Sequence, residues 1–111
     1  MIRTTGKRSQ NTRIHGNCED IAEQLGMHKS TVYNRLLWEM ADEGIITYET
    51  EWLLGKSNVV YQHESSWSTK QAADAGEILH RMVSLLVAQH KKPLFLHEYV
   101  DGKAVKVWVR P

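Results

Sequence analysis

Lys7, Arg8, Gln10, Asn11, Arg13 and His15 fall close together near the N-terminus, in the run GKRSQNTRIHGN. Their types suit a nucleic-acid strand. Lys7, Arg8 and Arg13 can neutralise phosphates, and the amides of Gln10 and Asn11 each offer a donor and an acceptor. Asn17 adds a third amide if it does not cap a helix. Gly6 and Gly16 bracket the run and let backbone approach a strand closely. This predicts a nucleic-acid-facing arm over residues 1–17, with His15 on the same segment. The competing reading is that Ser9, Gln10 and Asn11 cap a helix beginning near Asn11, so that the run is only a basic tail.

A second constellation lies in CEDIAEQLGMHKSTVYNRLLWEMADEGII, residues 18–46. Ala22 takes the small position of a first helix, Gly26 the turn, and Val32 and Leu36 the buried positions of a second. Lys29, Ser30, Thr31, Tyr33, Asn34 and Arg35 then fall where a recognition helix meets phosphates and base edges. With a following hairpin as wing, the segment resembles a winged-helix regulator. Any two short helices packed across a glycine turn would read the same way. Glu39, Asp42 and Glu43 also make the neighbourhood poorly suited to DNA.

The remaining reactive side chains form no recognisable centre. His15 and Cys18 are spaced H-x-x-C, but one cysteine without a second clustered pair falls short of a structural zinc signature. His28, His63, His80, His90 and His97 are scattered, and Gly55-Lys56-Ser57 lacks the upstream glycine that a phosphate-cradling loop requires. The expectation is a non-catalytic protein without metal or cofactor.

At 111 residues the chain has the length of one domain. Its lone cysteine excludes an internal disulfide, and no apolar run approaches the roughly 20 residues of a membrane span, which together predict a cytoplasmic protein. Net charge is +1, but it is unevenly spread. Residues 1–18 carry four basic side chains and no acid; residues 19–51 carry eight acids against Lys29 and Arg35; from residue 52 onward eight basic face five acidic. Positive charge therefore gathers at both ends, and would form one anion-facing surface if the ends meet in the fold.

The elements that must position these residues are legible in outline. Cys18 to Leu25 reads as a short helix, with Asn17 as its N-cap and Gly26 as its stop. A second helix runs from His28 or Lys29 to Glu43, with Val32, Leu36, Leu37 and Met40 on its apolar face. A loose hairpin over residues 45–63 surrounds the Gly-Lys-Ser-Asn cluster. The clearest helix spans 69–90: Ser68 and Gln71 form a capping box, and Ala72, Ala75, Leu79, Met82 and Leu86 make a stripe that serves either core or a homodimer. Beyond Pro93, Asp101-Gly102 nucleates a second hairpin over 94–110. Pairing Val100 with Lys103 sets Leu94 and Leu96 beside Val109 and Val107 on a core face. Phe95, His97 and Tyr99 then lie beside Trp108, Lys106 and Ala104 on the other. That second face either stacks bases, through Lys106 and Trp108, or simply packs. The predicted fold class is α+β: a mainly helical single domain over 18–111, with two short helices, a long central helix and two β-hairpins.

Arg8, Ser9, Gln10, Asn11, His15 and Gly16, then Ile21 and Ala22, then Ser68, Thr69, Ala72 and Ala73, resemble in order the motifs of the NinB (Orf) recombination mediators of phages. In that family an Arg-Ser-x-x-Gln-Asn-like segment leads into an Ile-Ala helix, and a Ser-Thr-x-x-Ala start opens a later one. Here Gln10-Asn11 follows Ser9 directly, and the chain is short beside the larger members. The resemblance implies a DNA-binding accessory protein in the cytoplasm of a bacterial host, favouring single-stranded or forked DNA. Its implied partner is a recombinase or a single-strand-binding protein. Two further readings stand beside it: a winged-helix regulator of duplex DNA, and a phage-encoded interaction module whose acidic middle meets a basic host protein.

Overall fold

The computed structural model describes the backbone of residues 7–111 and the side chains from Gln10 onward. The order of elements is α1 (Lys7–Leu25), α2 (Lys29–Asp42), β1 (Tyr48–Leu53), β2 (Lys56–Tyr61), a short 3-10 turn at Glu64–Ser66, α3 (Thr69–His90), β3 (Leu94–Val100) and β4 (Lys103–Val109). Three helices and two separate antiparallel hairpins make an α+β domain.

The first helix corrects the sequence reading. It begins by Lys7 rather than at Cys18, so residues 7–17 are helix and not an arm, and Asn17 lies mid-helix where it caps nothing. Ile14, Cys18, Ile21 and Ala22 share one face and are buried, so the stripe starts one turn before the expected N-terminus. The preceding turns hide from a periodicity argument because polar side chains, Asn11 and His15, hold them. Neither is the helix short, at 19 residues.

Gly26, at φ +68°, closes α1 in the left-handed conformation that glycine tolerates best, and Gly44 (φ +75°) follows α2 in the same way. The Ser68–Gln71 capping box opens α3: the Gln71 N–H donates to Ser68 Oγ and the Ser68 N–H donates to Gln71 Oε1. Ala72, Ala75, Ile78, Leu79, Val83 and Val87 are buried, which gives the apolar stripe of α3 to the core. The core also takes Ile21, Leu36, Met40, Trp67, Leu94 and Leu96. Trp67 is fully enclosed and its indole N–H donates to the Gln62 carbonyl (3.1 Å).

The C-terminal hairpin has the expected register throughout, from Leu94 opposite Val109 to Val100 opposite Lys103. Asp101 and Gly102 both take positive φ, as a two-residue turn of this hand requires. In the first hairpin the turn falls elsewhere than expected. Leu54 (φ +49°) and Gly55 (φ +79°) form it, and Lys56, Ser57 and Asn58 continue into β2 as regular strand. Six residue pairs from Tyr48–Tyr61 to Leu53–Lys56 make it an ordered ladder rather than a loose one.

Candidate nucleic-acid interface

α1 lies along the free edge of β3, and two side-chain amides complete that edge. Phe95 and His97 turn their backbone groups away from β4. The Asn17 amide donates to the His97 carbonyl (3.1 Å) and accepts from the His97 N–H (2.8 Å); Gln24 does the same for Phe95 (2.9 and 3.0 Å). Asn17 and Gln24 sit two helical turns apart, roughly 10.5 Å, while the two strand residues are separated by roughly 6.8 Å. The longer reach of glutamine closes the difference. These amides act as a substitute strand and blunt an otherwise open edge, a role for Asn17 that displaces both its expected capping and a nucleic-acid contact. His97 Nδ1–H donating to Asp20 (2.8 Å) adds a third tie.

This docking sets Arg13 of α1 beside the C-terminal hairpin. The Arg13 guanidinium lies 4.9 Å from the Tyr99 ring centroid, and the Lys106 ammonium 4.3 Å from that of Phe95 and 5.9 Å from that of Trp108. Phe95 and Trp108 meet edge to face at 5.3 Å. The outer face of β3–β4 is thus a row of rings with cations between them. Trp108 and Tyr99 remain nearly half exposed. Beside the row, an open cleft of about 340 Å³ is lined by Thr12, Arg13, Gly16, Asn17, His97 and Tyr99 among others. A Cβ at Gly16 would meet nothing within 4 Å, so the helix backbone is approachable there. A second cleft of about 480 Å³, between α1, α3 and β3, has Gln10 and Arg13 on its rim.

Other expected contact residues turn inward instead. The His15 Nε2–H donates to the Glu64 carboxylate (2.7 Å), its ring stacks on Tyr33 at 4.7 Å, and the Tyr33 hydroxyl donates to the same carboxylate (3.0 Å). The Asn11 amide reaches the Glu64 carbonyl. Glu64, in the turn leading to α3, thereby ties α1 to α2. His15, Tyr33 and Asn11 therefore clamp the helices, a positioning role that the sequence reading did not give them. Burial, with the Glu64 hydrogen bond, holds the Tyr33 phenol well above its ordinary range. The nearby Cys18 thiol is pushed up to about 12 by burial, with Glu64 adding to the rise and Lys29 opposing it. It is neutral at physiological pH and unsuited to nucleophilic or metal chemistry. Among the described residues, no three His, Cys, Asp or Glu side chains cluster as a metal site would require.

On α2, Ser30, Asn34 and Arg35 are exposed and Lys29 is half-buried. Ala22, Val32 and Leu36 occupy the buried positions that a helix-turn-helix needs. Arg35, however, donates to Glu39 (3.0 Å) and its guanidinium stacks 4.9 Å from Trp38. Of the basic residues read from the N-terminal run, the side chains of Lys7 and Arg8 lie outside the described residues, as does all of Gly6. Asn17, Gln24 and Glu64 were missed as positioning residues. The seven-residue spacing of two amides on α1 was the available signal for the first two; Glu64 left none. Among the described residues, no helix is long and apolar enough to cross a membrane. Compared with protein-family models, curated proteins and solved structures, the chain matches none of them.

Proposed function

We propose that this protein binds single-stranded or forked DNA without catalysis, along the face shared by α1 and the β3–β4 hairpin, as an accessory of phage recombination. The observation that carries the reading is the interleaving of Arg13 and Lys106 with Tyr99, Phe95 and Trp108. Unpaired bases stack on exposed rings whatever their identity, and cations between the rings neutralise the phosphates that follow. A strand-binding face of this kind agrees with the role implied by the resemblance to NinB-type mediators, which hand single strands to a recombinase. Tryptophan fluorescence provides the test. An oligothymidine should quench the emission of the wild type, Trp108→Phe should retain affinity, and Trp108→Ala should lose at least tenfold, about 1.4 kcal/mol of the stacking worth ~1–3 kcal/mol per base. Unchanged affinity in Trp108→Ala would rule out the stacking face.

A second reading, duplex recognition through Lys29, Ser30, Asn34 and Arg35, is favoured by the packing of α1 and α2 across Gly26 and by the hairpin that follows as a wing. The wing carries Glu49 and Glu51, which repel phosphates, and Arg35 is already engaged. Asn34→Ala should relax sequence preference only if this second surface is the one used.

A further inference from the structure

The cleft of about 480 Å³ between α1, α3 and β3 lies outside the row of rings, yet the two are continuous. Arg13, Asn17, His97 and Tyr99 line both this cleft and the smaller one beside the row. Its volume falls within the ~300–1,000 Å³ of small-ligand sites, and its floor is apolar, built from the buried Ile14, Leu79 and Leu96. Glycine opens it further. Among the described residues, four glycines take positive φ at turns, whereas Gly16 and Gly76 lie inside α1 and α3. A Cβ on Gly76 would meet nothing within 4 Å, so no packing within the fold requires glycine there, and it weakens the helix. What the missing side chain leaves is room in the cleft, which Gly76 lines.

The polar lining identifies what fits. Glu77 of α3 and Glu98 of β3 both line the cleft, and neither forms an ion pair with a described residue. Gln10, also in the lining, carries a buried Oε1 without a hydrogen-bond partner among the described residues. Acceptors without donors call for a ligand that brings N–H groups. The two carboxylates also repel a phosphate from the interior, while Arg13, on the edge shared with the row of rings, suits a phosphate outside. We infer that the cleft takes one unstacked base of the bound strand, guanine above the others. Its N1–H and amino group form a continuous donor edge for Glu77 or Glu98, its ring lies on the apolar floor beside Gly76, and its phosphate stays at Arg13. Thymine, with a single N–H between two carbonyls, meets repulsion from the same carboxylates. The inference rests on the strand-binding reading and adds base selectivity to a stacking face that has none of its own.

Fluorescence anisotropy of two labelled oligomers, titrated with the full chain, tests this: an oligothymidine, and the same oligomer with one central deoxyguanosine. The guanine-bearing strand should bind about tenfold more tightly, as a bidentate base contact does. Gly76→Leu should fill the cleft and remove that preference while affinity for oligothymidine stays unchanged, and Glu77→Gln/Glu98→Gln should weaken the preference. The three residues are exposed, so neither variant should lower the thermal midpoint, and leucine, a better helix former than glycine, should raise it. Equal affinity for the two oligomers would overturn the cleft assignment and leave the stacking face standing; failure of both to bind would overturn the two together. A preference that survives Gly76→Leu would place the base elsewhere and overturn the proposal. So would a preference that arginine amide abolishes without displacing oligothymidine, since the cleft would then belong to a cationic side chain.

Discussion

The two hairpins have the same two-residue turn geometry and nearly the same length, yet they are held in opposite ways. In β3–β4, Leu94 and Leu96 are buried, and Asn17 and Gln24 bind the edge of the strand. In β1–β2, every residue but the half-buried Tyr61 is exposed, and the hairpin's regular contacts are its own ladder. An isolated two-stranded ladder is marginal in water. The anchored hairpin presents rings and cations at fixed positions, as repeated base stacking needs. The projecting one leaves Trp52, Tyr48 and Val59 largely open to solvent. Placement on the core therefore separates the two hairpins more clearly than strand sequence does.

The largest expected difference is in stability. Leu96→Ala should destabilise the fold by ~2–5 kcal/mol, as loss of a buried leucine does, whereas Val59→Ala should cost under ~1 kcal/mol because its site is open to water. Urea unfolding monitored by far-UV circular dichroism gives both values. Next in size is Asn17→Ala, which strands two backbone groups of His97 and should cost ~1–3 kcal/mol. Amide exchange should show the loss at His97 and its neighbours and leave β1–β2 unaffected.

Alkali should act on the anchored half. The Cys18 thiol titrates near 12 in the fold against an ordinary 9.0, so the stability it contributes is complete below pH 9 and is lost as pH rises from 9 towards 12. Tyr33, also raised, steepens the decline above its ordinary 10.0. Thermal midpoints measured from pH 7 to 11 should fall in the alkaline range, and Cys18→Ala should flatten the first part of that fall. The smallest effect is expected at Leu54, 94% exposed at φ +49°. Leu54→Asn places the Asn-Gly pair preferred by this turn and should slow amide exchange across β1–β2 by about 0.5–1 kcal/mol, with little change in global melting.

Where local pattern and turn chemistry agreed, the fold was legible. Asp101-Gly102 with period-two alternation fixed every pair in β3–β4, and Ser68 with Gln71 marked the start of α3. The first half of α1 was not legible, because His15 and Asn11 secure it through the carboxylate and the backbone carbonyl of Glu64, some fifty positions later in the chain, and a hydrophobic period cannot register such partners. The turn of the first hairpin was misplaced because leucine is a rare choice for positive φ. The pairing of Lys106 with rings followed from the register. The inward turn of His15 and Tyr33 did not.

The most direct measurement is the salt dependence of affinity for a single strand, a fork and a duplex, by fluorescence anisotropy, in the wild type and in Arg13→Ala/Lys106→Ala. The double variant should bind single strands and forks more weakly, with a log–log salt slope smaller by about 1.4 for two lost phosphate contacts at ~0.7 each, and the wild type should prefer both to duplex. An unaltered slope, or a wild type that prefers duplex, would contradict strand binding by the α1 and β3–β4 face.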